Sequence, residues 1–381
     1  MPVITAGGMR FQQSWDDLAD DAITGQEMDR IKRVVNRALE LGINHIETAR
    51  GYGSSERQLR DVFADIDRDR YILQSKVAPA EDPKEFEKVL DRTFSQLGCE
   101  YLDLFGFHGI NLDEHIEWIL RPGGCMDVIR RWQRDGRIRF VGFSTHGNPD
   151  VIVRAIETGE FDYVNLHWYF INQTNEAAIA VATTQDMGVF IISPNDKGGK
   201  LYEPSSKLSD LCSPLTPMAF NTLFCLRRPE IHTLSVGAAE VDQYDPQIVA
   251  LEHYERIDET IRPIEERIHD AIKAELGDDW WPGYSATLPT WDQVPGEVNL
   301  RYILRLWTLA KGLDMHDYGK YRYGMIGNGG HWMAGQKAVD FDDVALIDSL
   351  KGHPYATRIP DILREAHEMF VGEERKPLAN T

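Results

Sequence analysis

Four side chains in the first third of the sequence have the types and the order needed to move a proton onto a carbonyl: Glu47, Tyr52, Lys76 and His108. A hydride arriving at a carbonyl carbon leaves an alkoxide, which needs a proton from a positioned acid. A tyrosine of ordinary pKa near 10 holds its proton too tightly for that task. A neighbouring ammonium stabilises the phenolate, and a carboxylate paired with the ammonium keeps it charged and in place. An imidazole beside the phenol orients the carbonyl oxygen or relays the proton. No side chain donates hydride, so such a site implies a redox cofactor.

These residues fall at the ends of short β-branched runs that alternate with helical segments. Residues 45–49, 71–77, 102–108, 138–146, 163–170, 189–194 and 232–239 read as buried strands, with an eighth at PVITAGG near the start. Between them, Met28, Ile31, Val34, Val35, Ala38 and Leu39 form one helical stripe, stopped by Gly42. Leu59, Val62, Phe63 and Ile66 form another, and Phe86, Val89, Leu90, Phe94 and Leu97 a third, closed by Gly98. Strands that read as continuous apolar runs suit a parallel sheet covered on both faces. Eight strand–helix units predict an α/β fold of the TIM (β/α)8 barrel type, spanning residues 1–245. In such a barrel the chemistry sits where strands end, which is where Glu47, Tyr52, Lys76 and His108 stand.

Residues 246–381 have a different period and predict a helical extension that caps the barrel. Within it, 250–276 reads as one long surface helix, 278–297 as a loop rich in Pro, Gly and Trp, and 299–317, 340–351 and 359–371 as helices. RKPLANT reads as a frayed tail. Trp280, Trp281, Trp291 and Trp332 are expected mainly in packing between cap and barrel, with a substrate pocket as the other assignment.

The chain has 381 residues, 42% of them hydrophobic, which is ample for a packed core. Its formal charge of −20 repels phosphate backbones and anionic lipid, so nucleic-acid and membrane-surface partners are not expected. Four cysteines, at 99, 125, 212 and 225, have no spacing of a disulfide framework or a metal site. The sequence reads as free of a signal peptide or transmembrane segment and as cytoplasmic. It does not indicate an oligomeric state.

The segment GINHIETARGYGSSE (42–56) closely resembles the signature of the aldo-keto reductase superfamily. The resemblance continues through Lys76 in QSKV, His108 in DLFGFHG, GFST (142–145) and SVGA (235–238). It implies a TIM barrel, an NADP(H) or NAD(H) cofactor and a small-molecule carbonyl substrate. Carried over by position, it makes Tyr52 the general acid, Lys76 the partner that lowers its pKa, Glu47 the carboxylate holding Lys76, and His108 the substrate-orienting imidazole. The same resemblance places Ser144, Thr145 and Asn165 on the nicotinamide carboxamide, and Gly8, Met9 and Arg10 beside the mouth. It puts Ser193, Lys197, Gly198 and Gly199 on the pyrophosphate, where a charge and approachable N–H groups suit phosphate, and Gly237 and Ala238 after strand 8.

Several departures from the family pattern carry expectations of their own. Glu47 stands where the family usually has Asp, so the pairing with Lys76 has to be rebuilt around one more methylene. That feature also supports an alternative, a catalytically weak nucleotide-binding barrel acting as a sensor or partner subunit. The strand 8 loop offers Glu240 and Asp242 where a 2′-phosphate would need Lys or Arg, which favours NADH against the family's habit of NADPH. Residues 299–325 resemble the stretch that follows an iron–sulfur segment in one aldo-keto reductase subgroup. No cysteine follows 225, so no iron–sulfur cluster is expected there. His108, His146 and His167 lack a metal-ligand pattern, and no metal is expected.

Overall fold

The structure is a computed structural model that describes residues 1–281, 283–328 and 330–375. Eight parallel strands close into a barrel in sequence order: β1 (Ile4–Gly7), β2 (His45–Glu47), β3 (Ile72–Val77), β4 (Leu102–His108), β5 (Ile138–Ser144), β6 (Tyr163–Leu166), β7 (Gly188–Ile192) and β8 (Ile231–Gly237). β8 pairs with β1 through Thr5–Ser235 and Gly7–Gly237, completing the ring. The expected strand 6 overruns by four residues: after Leu166 the chain turns, and Tyr169 and Asn172 bond to each other instead.

The helices between strands start and stop on local signals. Gly25–Glu40 is capped by the Thr24 hydroxyl, which accepts from the Glu27 N–H, and buries Ile31, Val34, Val35 and Ala38. Pro83–Leu97 is capped by Asp82 and ends at Gly98, whose φ of +60° suits glycine. Ser55–Phe63 presents Leu59, Val62 and Phe63 to the core.

Side chains fill the barrel interior. Tyr163 stacks on Phe190 at 4.9 Å between ring centroids, with Leu104 packed beside them. Polar contacts also cross this interior: Gln74 of β3 reaches Tyr163 and Asn165 of β6, which only side chains pointing inward can do. Gly106 makes the space, since a Cβ there would lie 3.1 Å from the Lys76 stem and 3.2 Å from the Tyr163 hydroxyl.

The chain divides into two compact units. Residues 1–198 and 221–252 form the barrel unit; residues 199–220 join those from 253 onward in the second. The long helix expected over 250–276 is broken at Glu252 and His253, where the chain passes from the first unit to the second. Its main part, Ile257–Leu276, is not a plain surface helix: it buries Ile261, Ile264, Ile268, Ile272 and Leu276. The segment read as one helix over 299–317 is two, Leu300–Leu313 and His316–Tyr323, because Asp314 adopts a φ of +55° between them. Asp343–Ser349 and Ile359–Phe370 follow. Trp280 is buried within this unit, donating to the Thr308 hydroxyl at 2.9 Å and meeting Trp307 at 5.3 Å. The tail from Lys376 lies outside the described residues. Among the described residues no helix is long and apolar enough to cross a membrane.

Candidate active site

Glu47 ends β2 with its carboxylate inside the barrel, 3% exposed, and Lys76 on β3 is 1% exposed. The extra methylene of Glu47 is accommodated: Oε1 accepts from Lys76 Nζ, and Oε2 accepts from the Ser235 hydroxyl on β8. Lys76 also donates to the Thr48 carbonyl at 2.9 Å. Gly7 admits Ser235, since a Cβ at position 7 would lie 2.7 Å from its hydroxyl. The longer carboxylate thus spans partners on two different strands.

Tyr52 sits on the turn after β2, half-buried, with Lys76 Nζ 5.0 Å from the centre of its ring. His108, the last residue of β4, meets the same ring edge-on at 5.5 Å. On another side Trp15 approaches perpendicularly at 6.4 Å. The loop bearing Trp15 is held against the turn at Gly53, where a Cβ would lie 2.0 Å from the Ser14 carbonyl and φ is +53°. Nothing in the spacing of Trp15 announced this role. Ser235 was readable as inward-facing, because Thr233 and Ser235 share a strand face at period two.

Burial sets the protonation states. It pushes the Tyr52 phenol well above its ordinary range, and the Glu47 charge adds to the effect, the opposite direction from the lowering by Lys76 that the resemblance implies. Burial lowers the Lys76 ammonium against the opposing pull of Glu47. It also holds His108 well below the ordinary imidazole value, helped by the charges of Lys76 and then Lys197. At neutral pH the phenol keeps its proton and the imidazole is neutral.

Ser144 and Asn165 are register partners at the ends of β5 and β6. The Ser144 oxygen accepts from the Gly109 N–H at 3.2 Å, and Asn165 Oδ1 accepts from Gln74 at 3.2 Å. Neither the Ser144 O–H nor Asn165 Nδ2 donates to a group among the described residues, so two adjacent donors remain. That donor pair fits a carboxamide oxygen. Thr145 differs: its hydroxyl donates to the Ile110 carbonyl at 2.7 Å and so ties the loop after β5 to the loop after β4.

Lys197 lies against a pair of histidines. Its Nζ sits 3.0 and 3.2 Å from the two ring nitrogens of His146, whose Nδ1 is 2.5 Å from His167 Nε2. Ser193 takes a φ of +51°, and Gly198 closes so tightly that a Cβ would lie 1.9 Å from the Pro194 carbonyl. Gly199, at φ +132°, opens the second unit. Gly8, Met9 and Arg10 form a short turn after β1, with the Arg10 stem 3.6 Å from where a Gly237 Cβ would be. The strand 8 loop therefore has an arginine against Gly237, contributed from a distant part of the sequence. Ala238 next to it is buried. Among the described residues no group of three His, Cys, Asp or Glu side chains is placed to hold a metal ion.

A sequence model of the aldo/keto reductase family matches residues 3–252. The chain belongs to the aldo/keto reductase family. Within this oxidoreductase family it is 26% identical over 239 residues to pyridoxine 4-dehydrogenase of Escherichia coli, covering 59% of this chain and 82% of that one. An aldo-keto reductase of Mycobacterium sp. (strain JLS) is 30% identical over 143 residues, covering 35% of this chain and 48% of the relative. Among solved structures, the holo form of an aldo-keto reductase from Bacillus halodurans superposes with a TM-score of 0.57 at 18% identity, over 70% of this chain and 91% of that one. At that identity the likeness carries the fold alone, and it agrees with the closed barrel. Lys76 and Glu47 are paired in this aldo-keto reductase despite the longer acid.

Proposed function

We propose that this chain reduces an aldehyde, ketone or sugar-like carbonyl with a nicotinamide dinucleotide, Tyr52 giving the proton. The observation that supports this reading is the phenol itself, placed 5.0 Å from the Lys76 ammonium and 5.5 Å from the His108 ring. A reduced nicotinamide would supply the hydride; Ser144 and Asn165 would hold its carboxamide, and Arg10, against Gly237, would offer a charge to its phosphates. NADPH and NADH both remain within this reading, Arg10 supporting the first and Glu240 and Asp242 the second.

The residues of the chain do the rest. Neutral His108 directs an N–H at the carbonyl oxygen and fixes its position. Tyr52, protonated at neutral pH, gives its proton to the oxygen as charge grows there. The phenolate left behind is stabilised by Lys76, and Glu47 keeps that ammonium charged in a buried setting where an unpaired charge would be lost. Trp15 keeps water from one side of the phenol.

Titration with NADPH and NADH, followed by quenching of tryptophan fluorescence, should show binding of at least one below millimolar. Tyr52→Phe should lower turnover on a carbonyl panel by ~10²–10⁴-fold while leaving cofactor affinity within about twofold. Turnover close to that of the unmodified enzyme in Tyr52→Phe would remove Tyr52 as the acid.

A further inference from the structure

A continuous chain of buried polar groups runs through the barrel beneath the mouth. The Thr5 hydroxyl lies 2.8 Å from that of Thr233 and 2.7 Å from His45 Nδ1; His45 Nε2 lies 2.9 Å from Gln74 Oε1; Gln74 Nε2 lies 3.2 Å from both the Tyr163 hydroxyl and Asn165 Oδ1. All six residues are buried. In the arrangement present, the directions follow from the Gln74 amide, whose nitrogen faces Tyr163 and Asn165. Gln74 uses its nitrogen on Tyr163 and Asn165, so its oxygen must accept from His45. His45 therefore carries its proton on Nε2, and its Nδ1 accepts from Thr5, whose oxygen in turn accepts from Thr233. Burial lowers His45 to about 4, so at neutral pH it carries a single ring proton, on Nε2 in this arrangement.

The consequence reaches the site. A terminal amide rotates between two nearly equal orientations unless its neighbours distinguish oxygen from nitrogen. Gln74 makes that distinction for Asn165: the oxygen is held by Gln74, and the nitrogen is left as a donor beside Ser144. We infer that Gln74 is a positioning residue for cofactor binding, acting through Asn165 to keep the Asn165 N–H groups presented to the nicotinamide carboxamide. This rests on the proposed function, and on Asn165 meeting the nicotinamide end. Held by Gln74, the Asn165 side chain gives up neither amide orientation, which alone accounts for about twofold, nor rotamer freedom on binding, and the two together are the source of the affinity gain.

The test compares the intact cofactor with a fragment lacking nicotinamide. In Gln74→Met, the affinity for whichever of NADPH and NADH the wild type binds should fall about tenfold, whereas that for 2′-phospho-ADP-ribose or ADP-ribose stays within twofold. In an Asn165→Ala background the same change should add less than twofold. Should Gln74→Met not fold, His45→Leu carries the same test, because it frees the Gln74 amide to turn over. Equal losses for cofactor and fragment, no loss for either, or a full tenfold loss in the Asn165→Ala background would each overturn the inference. If wild type binds neither nucleotide, the proposed function itself fails. If Asn165→Ala leaves cofactor affinity unchanged, it is the placing of Asn165 on the carboxamide that is wrong.

Discussion

Glu47 carries more than one duty at a single carboxylate. One oxygen serves Lys76 and the other Ser235, with both partners buried. Glu47→Gln keeps the shape but leaves the Lys76 ammonium buried without its counter-charge, and removing one partner of a buried pair costs about 3–5 kcal/mol. Denaturant unfolding should register a loss of that order; an unchanged midpoint would show that the pair is not buried in solution. The protonation states give a second residue-scale expectation. Burial holds His108 below its ordinary value and Tyr52 above its own, so neither changes protonation between roughly pH 7 and 10. The sign is the same for both: His108 is already neutral and Tyr52 still protonated throughout this window. kcat for reduction should show no bend from either group across it, and a loss at its alkaline end would belong to Lys76, whose ammonium burial lowers. A profile bending near pH 7 and abolished by His108→Gln would place a charged imidazole in the reacting enzyme instead.

At the scale of elements, the loop bearing Trp15 is fastened from below. Asp17 accepts from Arg50 at 2.8 Å, from Arg57 at 3.2 Å, and from Arg92 as well. Despite partial burial, which acts the other way, Arg50, Arg57 and Arg92 hold the Asp17 carboxyl below its ordinary value. Arg50 in turn meets buried Glu56 at 2.5 Å, and the Ser75 hydroxyl donates to Glu56 at 2.7 Å, so the fastening reaches β3 next to Lys76. Asp17→Asn should loosen the loop, lower kcat/KM several-fold through the displaced Trp15, and open Trp15 and Leu18 to chymotrypsin; resistance equal to wild type would show that the arginines are not what holds the loop. This element was not legible in the sequence. Strands were, because parallel strands buried on both faces are apolar throughout, and three strand ends placed Glu47, Lys76 and His108, with Tyr52 on the turn that follows the first of them. The overrun past Leu166 came from apolar residues that pack after the strand has ended, and the long helix over 250–276 hid a break that only tertiary packing fixes. Ser235 and Gln74 were readable by alternation as inward-facing, but their partners belong to strands far away in sequence. Trp15 reaches the Tyr52 ring from a loop, whose course has no periodicity to betray it.

The molecule as a whole keeps neutral imidazoles in its barrel, and this sets how it responds to acid. His45 is held from its ordinary 6.5 down to about 4 by burial, which outweighs the nearby Glu47 charge. An unfolded chain takes up the proton near pH 6.5 and the folded barrel does not. The stability associated with His45 is therefore fully present above pH 6.5 and is lost as the pH falls toward 4, by about 1.4 kcal/mol per pH unit and about 3 kcal/mol in all. His108 adds a loss of the same sign, since its folded value is also depressed. Most carboxylates stay ionised down to about pH 5, so the interval between 6 and 5 isolates the histidines. Unfolding free energies of wild type and His45→Gln measured across that interval should differ in slope by about one proton, the variant being the flatter. Because the chain forms two compact units, the barrel's transition should be followed on its own, by amide exchange on β1–β8, rather than by a global signal. Parallel slopes in the two proteins would mean that His45 titrates normally inside the barrel.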